Sequence, residues 1–274
     1  MISPKSTIRA MAIADDDITI RHPAVAGTFY PADAGALQDQ VQSMLARSTE
    51  QTISVKALIV PHAGYMYSGQ VAAQAYRLLQ DKEFAHVVLL GPAHYVYVEG
   101  LAAPSVSHFA TPLGLIPINS QAIAGILDLP QVSVSDQAHA PEHSLEVQLP
   151  FLQRVLADFT LIPLLVGKAT AEQTAQVIER LWSDQDTLIL VSSDLSHFHP
   201  YSEAQKIDQR TSTAICHRSE TLSGEQACGC RAINGLMHCA EKRGLNVKPI
   251  ALCNSGDTGG DKSRVVGYGA YVLY

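Results

Sequence analysis

The chain has 274 residues, of which 47% are hydrophobic and 16% charged; that much apolar material builds a sizeable core and excludes a largely disordered chain. With 26 acids against 19 bases the net charge is −7, the wrong balance for binding nucleic acid by neutralising its phosphates. No apolar run approaches the ~20 residues that span a bilayer, so no membrane association is expected.

Residues Met1–Ile20 read as a loosely ordered leader. They are mixed in composition, carry Asp15, Asp16 and Asp17, and lack the apolar stretch of a secretory signal. Five cysteines (Cys216, Cys228, Cys230, Cys239 and Cys253) are an odd number in a long chain. That fits a reducing, cytoplasmic setting better than a disulfide framework. Beyond the leader no repeat, low-complexity tract or Pro/Gly/Ser linker interrupts the sequence, so residues 21–274 are expected to form one domain.

A helix predicted over Ala34–Leu45 leads to a strand at Ala57–Val60. A helix over Gly69–Leu79 and a strand at Val87–Leu90 follow. Helices over Ser120–Leu127 and Ser144–Leu156 come next, the latter kinked or restarted by Pro150. Then come a strand at Leu161–Val166, a helix over Ala171–Trp182 and a strand at Leu188–Val191. Helices over Glu203–His217 and Gly224–Lys242 precede the last strands, Lys248–Leu252 and Val265–Leu273. Most of the strands are unbroken Val/Ile/Leu runs, as in strands buried on both faces. The alternation predicts an α/β fold, a mostly parallel β-sheet covered by helices on both faces.

In such sheets ligands gather at the carboxyl ends of the strands. Three histidines sit there. His62 follows Ala57–Val60, His94 follows Val87–Leu90, and His197 follows Leu188–Val191. Neighbouring strands would bring the three imidazoles to one pocket, and neutral imidazoles suit divalent iron, copper or zinc. A carboxylate would complete a three-ligand set with open positions. The ordinary reading of each histidine alone is a loop or capping residue, and the spacing matches no compact zinc signature.

The neighbouring polar residues carry two readings each. Asp194 either orients an imidazole or caps the turn after its strand. Glu142 and His143 either reach the pocket or open a helix whose dipole favours acids. Cys228-Gly-Cys230 is either a reactive thiol near a helix start or ordinary small buried residues. Cys253 or Asp257, after the penultimate strand, could supply a third metal ligand or merely build a turn. Phe29, Tyr65 and Tyr67 line a pocket or pack half-buried.

Six stretches, in order, carry a family resemblance: Arg21–Pro31 (RHPAVAGTFYP), Pro61–Gly69 (PHAGYMYSG), Gly91–His94 (GPAH), Glu142–Leu152 (EHSLEVQLPFL), Ser192–His197 (SSDLSH) and Gly267–Ala270 (GYGA). Through them the chain resembles the Memo family, also called AmmeMemoRadiSam system protein B, from Arg21 to the C-terminus. The resemblance implies a fold similar to class III extradiol ring-cleavage dioxygenases, which are non-haem iron enzymes. It implies metal-binding histidines at His62 and His94. It also implies a pocket histidine at His197, accompanied by Asp194, that acts as acid and base in the related dioxygenases. Phe29 stands where animal members carry a pocket tryptophan, and Tyr67 matches a pocket tyrosine. In animal members a cysteine toward the C-terminus is the third ligand. Counting back from Gly269 places it near Gly256–Asp257, so Asp257 is the expected third ligand here and Cys253 the alternative. The family's Cys-Gly segment reads Cys228-Gly-Cys-Arg231, with its role open.

Two functional classes follow. One is a metal-dependent redox protein of dioxygenase type, holding iron, copper or zinc, with His197 shuttling a proton and an unknown small molecule or peptide bound by Phe29, Tyr67, Glu142 and His143. The other uses the same pocket without chemistry, as a peptide- or anion-binding module or as the partner of a radical SAM protein.

Overall fold

Runs of Val, Leu and Ile too short to cross a membrane and too uniform to show alternation need burial on both faces, and the fold gives it to them. The structure, a computed structural model, describes residues 18–49, 52–182 and 186–274. In chain order the elements are β1 (Ile20–Arg21), α1 (Ala34–Ala46), β2 (Ala57–Val60), α2 (Tyr65–Tyr76), β3 (His86–Pro92), β4 (Leu101–Ala103), β5 (His108–Thr111), β6 (Gly114–Pro117), α3 (Ser120–Ala124), β7 (Val132–Val134), α4 (Asp136–His139), α5 (Leu149–Val155), β8 (Thr160–Val166), α6 (Ala171–Leu181), β9 (Thr187–Ser192), β10 (His197–His199), α7 (Tyr201–Cys216), α8 (Cys230–Arg243), β11 (Val247–Asn254) and β12 (Val265–Leu273).

The main sheet has nine strands in the order β10-β12-β2-β9-β3-β8-β4-β7, with β11 also paired to β12. Its centre, β2-β9-β3-β8, is parallel, and every residue of β2 and β9 is buried. Each fully buried Val, Leu or Ile contributes roughly 1.5–3 kcal/mol. The flanks turn antiparallel, β12 against β2 and β4 against β8. Helices flank the sheet, with α2 against β12, and α8 against β3 and β9. Among the described residues no helix is long and apolar enough to cross a membrane.

The predicted central strands and β12 all form. A small second sheet, β1-β5-β6, escapes sequence reading because its strands are two to four residues long and partly exposed. Ile20, placed in the leader by sequence, begins β1; residues 1–17 of that leader lie outside the described residues. The helix expected over Ser144–Leu156 divides. A 3₁₀ turn at Glu146–Gln148 precedes α5, and Pro150 sits in the first turn of α5, where its missing N–H leaves no hydrogen bond unmade. The helix expected from Gly224 begins only at Cys230, and it ends at Gly244, whose φ of +66° supplies the left-handed cap.

Candidate metal centre

Sheet order decides which loops meet. β9 lies between β2 and β3, so the segments leaving these three parallel strands emerge side by side at one edge. They carry His62, Asp194 and His94. The rings of His62 and His94 have centroids 5.3 Å apart. A third ring, His143, from the segment before α5, stacks on His94 at 4.9 Å and meets His62 edge-on at 5.5 Å. One nitrogen from each of these three rings falls within 4.8 Å of the others.

The hydrogen bonds behind the rings fix which nitrogen is free. Ser192 Oγ donates its one proton to the Ser144 carbonyl at 2.6 Å. It must therefore accept at the 2.9 Å contact with His62 Nδ1, so His62 carries its proton on Nδ1 and a lone pair on Nε2. Gln148 completes the serine's shell with an N–H donated at 2.8 Å. Gln148 is itself oriented by Tyr76 OH and by the Pro61 carbonyl. His94 repeats the logic with a carboxylate. Its Nδ1 lies 2.9 Å from Glu142 Oε1, and an ionised carboxylate only accepts, so Nδ1 of His94 is the donor there and Nε2 is the nitrogen left for another partner. Partners of this kind hold metal-ligating imidazoles in the correct tautomer and orientation.

Charge agrees with that assignment. His62 is fully buried, and burial first, then the neighbouring imidazoles of His94, His143 and His197, hold it neutral, its pKa well below the usual histidine range. Burial lowers His143 and His197 as well. For Glu142 burial works upward, but bonds from the His94 ring and from the amides of His94 and Ser144 outweigh it and hold the carboxyl at about 2. A neutral His62, with the lowered His143 beside it and an ionised carboxylate behind His94, fits a divalent cation.

The 139–146 segment that delivers Glu142 and His143 is clasped from Arg21–Tyr30. Arg21 pairs with buried Glu146 at 2.5 Å and donates to the carbonyls of Glu142 and His139. Glu146 also accepts from Tyr30 OH and from the amides of Ala24 and Val25. Phe29, on the same stretch, reaches the His143 ring at 4.9 Å.

Asp194 accepts the His62 amide N–H at 2.7 Å, and burial, opposed by that amide, raises its carboxyl to about 7. Cys228 places its Sγ 3.3 Å from His62 Nε2 and also accepts the Asp194 amide. Burial, and then the nearby Asp194 carboxyl, push the thiol up, so it is protonated and donates to the imidazole nitrogen. Sequence reading left Cys228 without a role. The signal was the glycine after it: a Cβ at Gly229 would meet the Ser192 carbonyl oxygen at 2.7 Å, so Gly229 admits this loop against the end of β9. Phe29, Tyr67, His143, Asp194 and His197 all line one cleft of about 460 Å³, while Glu142 stands behind His94 rather than in the cleft wall. A larger recess, about 760 Å³, opens at the opposite end of β3 and β8 beside His86 and Thr160; it is remote from the imidazole group.

The structure does not bring Asp257 or Cys253 to the imidazoles. Asp257 ends a 3₁₀ turn, where its carboxylate accepts from Tyr201 OH at 2.5 Å and from the Asn254 amide at 2.9 Å. Cys253 lines a separate recess of about 130 Å³ with Asp257 and Asp208. Cys253 lies at the end of β11 and Asp257 follows it; β12, β2 and β9 stand between β11 and β3, the strand that leads to His94. His143, expected in substrate binding, stands beside His62 and His94 instead.

A family described as Memo-like protein matches residues 21–272. A MEMO1 family protein of Aquifex aeolicus is 35% identical over 265 residues, spanning 91% of this chain and 97% of its own. One from Archaeoglobus fulgidus is 34% identical, spanning 93% and 99%. One from Metallosphaera sedula is 33% identical, spanning 90% and 97%. Among solved structures, an uncharacterized protein of Escherichia coli K12 aligns over 80% of this chain and 99% of its own, with a TM-score of 0.48 and 11% identity.

Proposed function

Because the chain belongs to the Memo family, we propose that it is a mononuclear metal protein in which His62 and His94 bind the ion through Nε2 and His143 is the third nitrogen donor. The observation that carries this is the pair of hydrogen bonds to Ser192 and Glu142, since both engage Nδ1 and leave Nε2 as the nitrogen available to a cation. The chemistry proposed is redox, of dioxygenase type, with iron as the ion; copper and zinc accept the same donors. Bound there, the metal would supply Lewis acidity and open coordination positions to a ligand.

The chain's own residues do the rest. Cys228 sets a sulfur beside His62 Nε2, a donor that loses its proton when it ligates a cation. His197 holds or moves a proton at its imidazole and Asp194 at its carboxyl, both at the cleft wall. Phe29 and Tyr67 wall the cleft and exclude water from the face of a bound molecule.

The test is metal analysis of protein purified without chelators. About one ion per chain is expected, and the His62→Ala/His94→Ala double variant should retain none. An unchanged metal content in that variant would overturn the assignment.

A further inference from the structure

The same cleft is lined by a cation that no carboxylate pairs with among the described residues. Arg264 is the one Lys or Arg among the residues lining the cleft. Other arginines are spoken for: Arg21 by Glu146, Arg180 by Asp128, Arg218 by Glu241, Arg243 by Glu179 and Arg231 by the Gly167 carbonyl. The Arg264 guanidinium instead lies over the ring of Phe198, 4.3 Å from its centroid. Among the described residues it makes no other side-chain contact of hydrogen-bond or ion-pair kind. A guanidinium held over a ring by its flat face keeps its in-plane N–H fork available, and such a fork grips a planar oxyanion with two parallel bonds.

The platform is held at a cost. Phe198 has φ of +65°, a left-handed conformation that a bulky residue avoids by roughly 1–2 kcal/mol. It sits where β10 shifts register against β12, between His197 and His199. With Phe198 in that conformation its ring stays exposed beneath Arg264, while His197 lines the cleft. Strain of this kind gathers at ligand clamps.

The rings of Phe29 and Tyr67 line the same cleft, Phe29 against His143, so an occupant that spans it is flat and apolar in its middle. Its charge is bounded too. One guanidinium lines the cleft, and the Asp261 carboxylate lines it as well, so a single negative charge has one cation to meet and a second has none. We infer that Arg264, braced by Phe198, is the specificity determinant of the cleft, and that it takes the carboxylate of a small aromatic monocarboxylic acid whose other end meets His62, His94 and His143. This rests on the metal-site reading for the far end of the ligand, but the Arg264 contact stands apart from it.

The test uses the full chain, both chelator-treated and zinc-loaded, titrated calorimetrically with benzoate, phenyl phosphate and benzyl alcohol. Benzoate is expected to bind at least tenfold tighter than either other probe in both forms of the protein. Arg264→Gln should remove that advantage without changing benzyl alcohol binding. Arg264→Lys should recover only part of it, since a point charge lacks the fork. Phe198→Leu should lower benzoate affinity several-fold with the charge still present. Arg264 is exposed, so its replacement leaves the core intact. Equal binding of benzoate and benzyl alcohol, tighter binding of phenyl phosphate, or a benzoate preference that survives Arg264→Gln overturns the inference. Absence of stoichiometric zinc, with the Arg264-dependent benzoate preference intact, sinks the metal reading and leaves the anion contact standing.

Discussion

Three strand ends in this molecule carry similar credentials, those of β2, β3 and β11, and only the first two build the imidazole group. After β2 and β3, His62 and His94 come from strands separated by β9 alone, and Ser192 and Glu142 lock their rings. At the end of β11, Cys253 and Asp257 also follow a buried-looking run, yet Asp257 spends its carboxylate on Tyr201 and the Asn254 amide. The difference is lateral. Strands lie about 4.8 Å apart in a sheet; β11 is separated from β2 by one strand, as β3 is, but from β3 by three, so its end is displaced from His94 by β12, β2 and β9. Strand ends on either side of β9 bring His62 and His94 together, while His143 joins them from the segment before α5.

The largest effect that would break this contrast comes from the clasp behind the imidazoles. Arg21→Ala leaves buried Glu146 without its cation, and removing one member of a buried pair costs about 3–5 kcal/mol. Urea unfolding should show that loss, together with weakened metal retention, because the same arginine ties down the Glu142 and His139 carbonyls. No comparable clasp secures Asp257.

Acid attacks the same region. His139 is buried, and burial holds its pKa at about 4 against an ordinary 6.5. The folded state therefore binds fewer protons than the unfolded chain below pH 6.5. Its stability contribution is complete above pH 6.5 and is lost as pH falls to about 4, by about 3 kcal/mol. Stability measured across that window should fall in the wild type and stay flatter in His139→Gln.

A sharper and smaller test concerns Glu142. Glu142→Gln keeps the shape but removes the charge behind His94, and losing such a partner weakens metal binding about 10–100-fold. Asp257→Asn should leave metal content unchanged and cost under about 1 kcal/mol of stability, as expected for an exposed hydrogen-bonded acid. A drop in metal content in Asp257→Asn would erase the distinction between the end of β11 and the ends of β2 and β3.

Much of this was readable from residues alone. Unbroken runs such as Leu188–Val191 announced the central strands, and the histidines after them announced the edge where the site sits. His143 was legible as a pocket residue but not as a neighbour of His94, because its place depends on the Arg21–Glu146 clasp more than 120 positions apart in sequence. Cys228 was hidden for a related reason. Its approach to His62 depends on Gly229 fitting against the end of β9, a contact no local pattern reveals. Counting along the chain favoured Asp257, because spacing records distance in sequence and says nothing about which strands stand between.

The most direct measurement is an anomalous-difference map from crystals of the protein grown with a divalent transition metal, collected at that metal's absorption edge. The account expects one peak about 2.0–2.2 Å from Nε2 of both His62 and His94. No density between those nitrogens, or a peak on Asp257 instead, would contradict it.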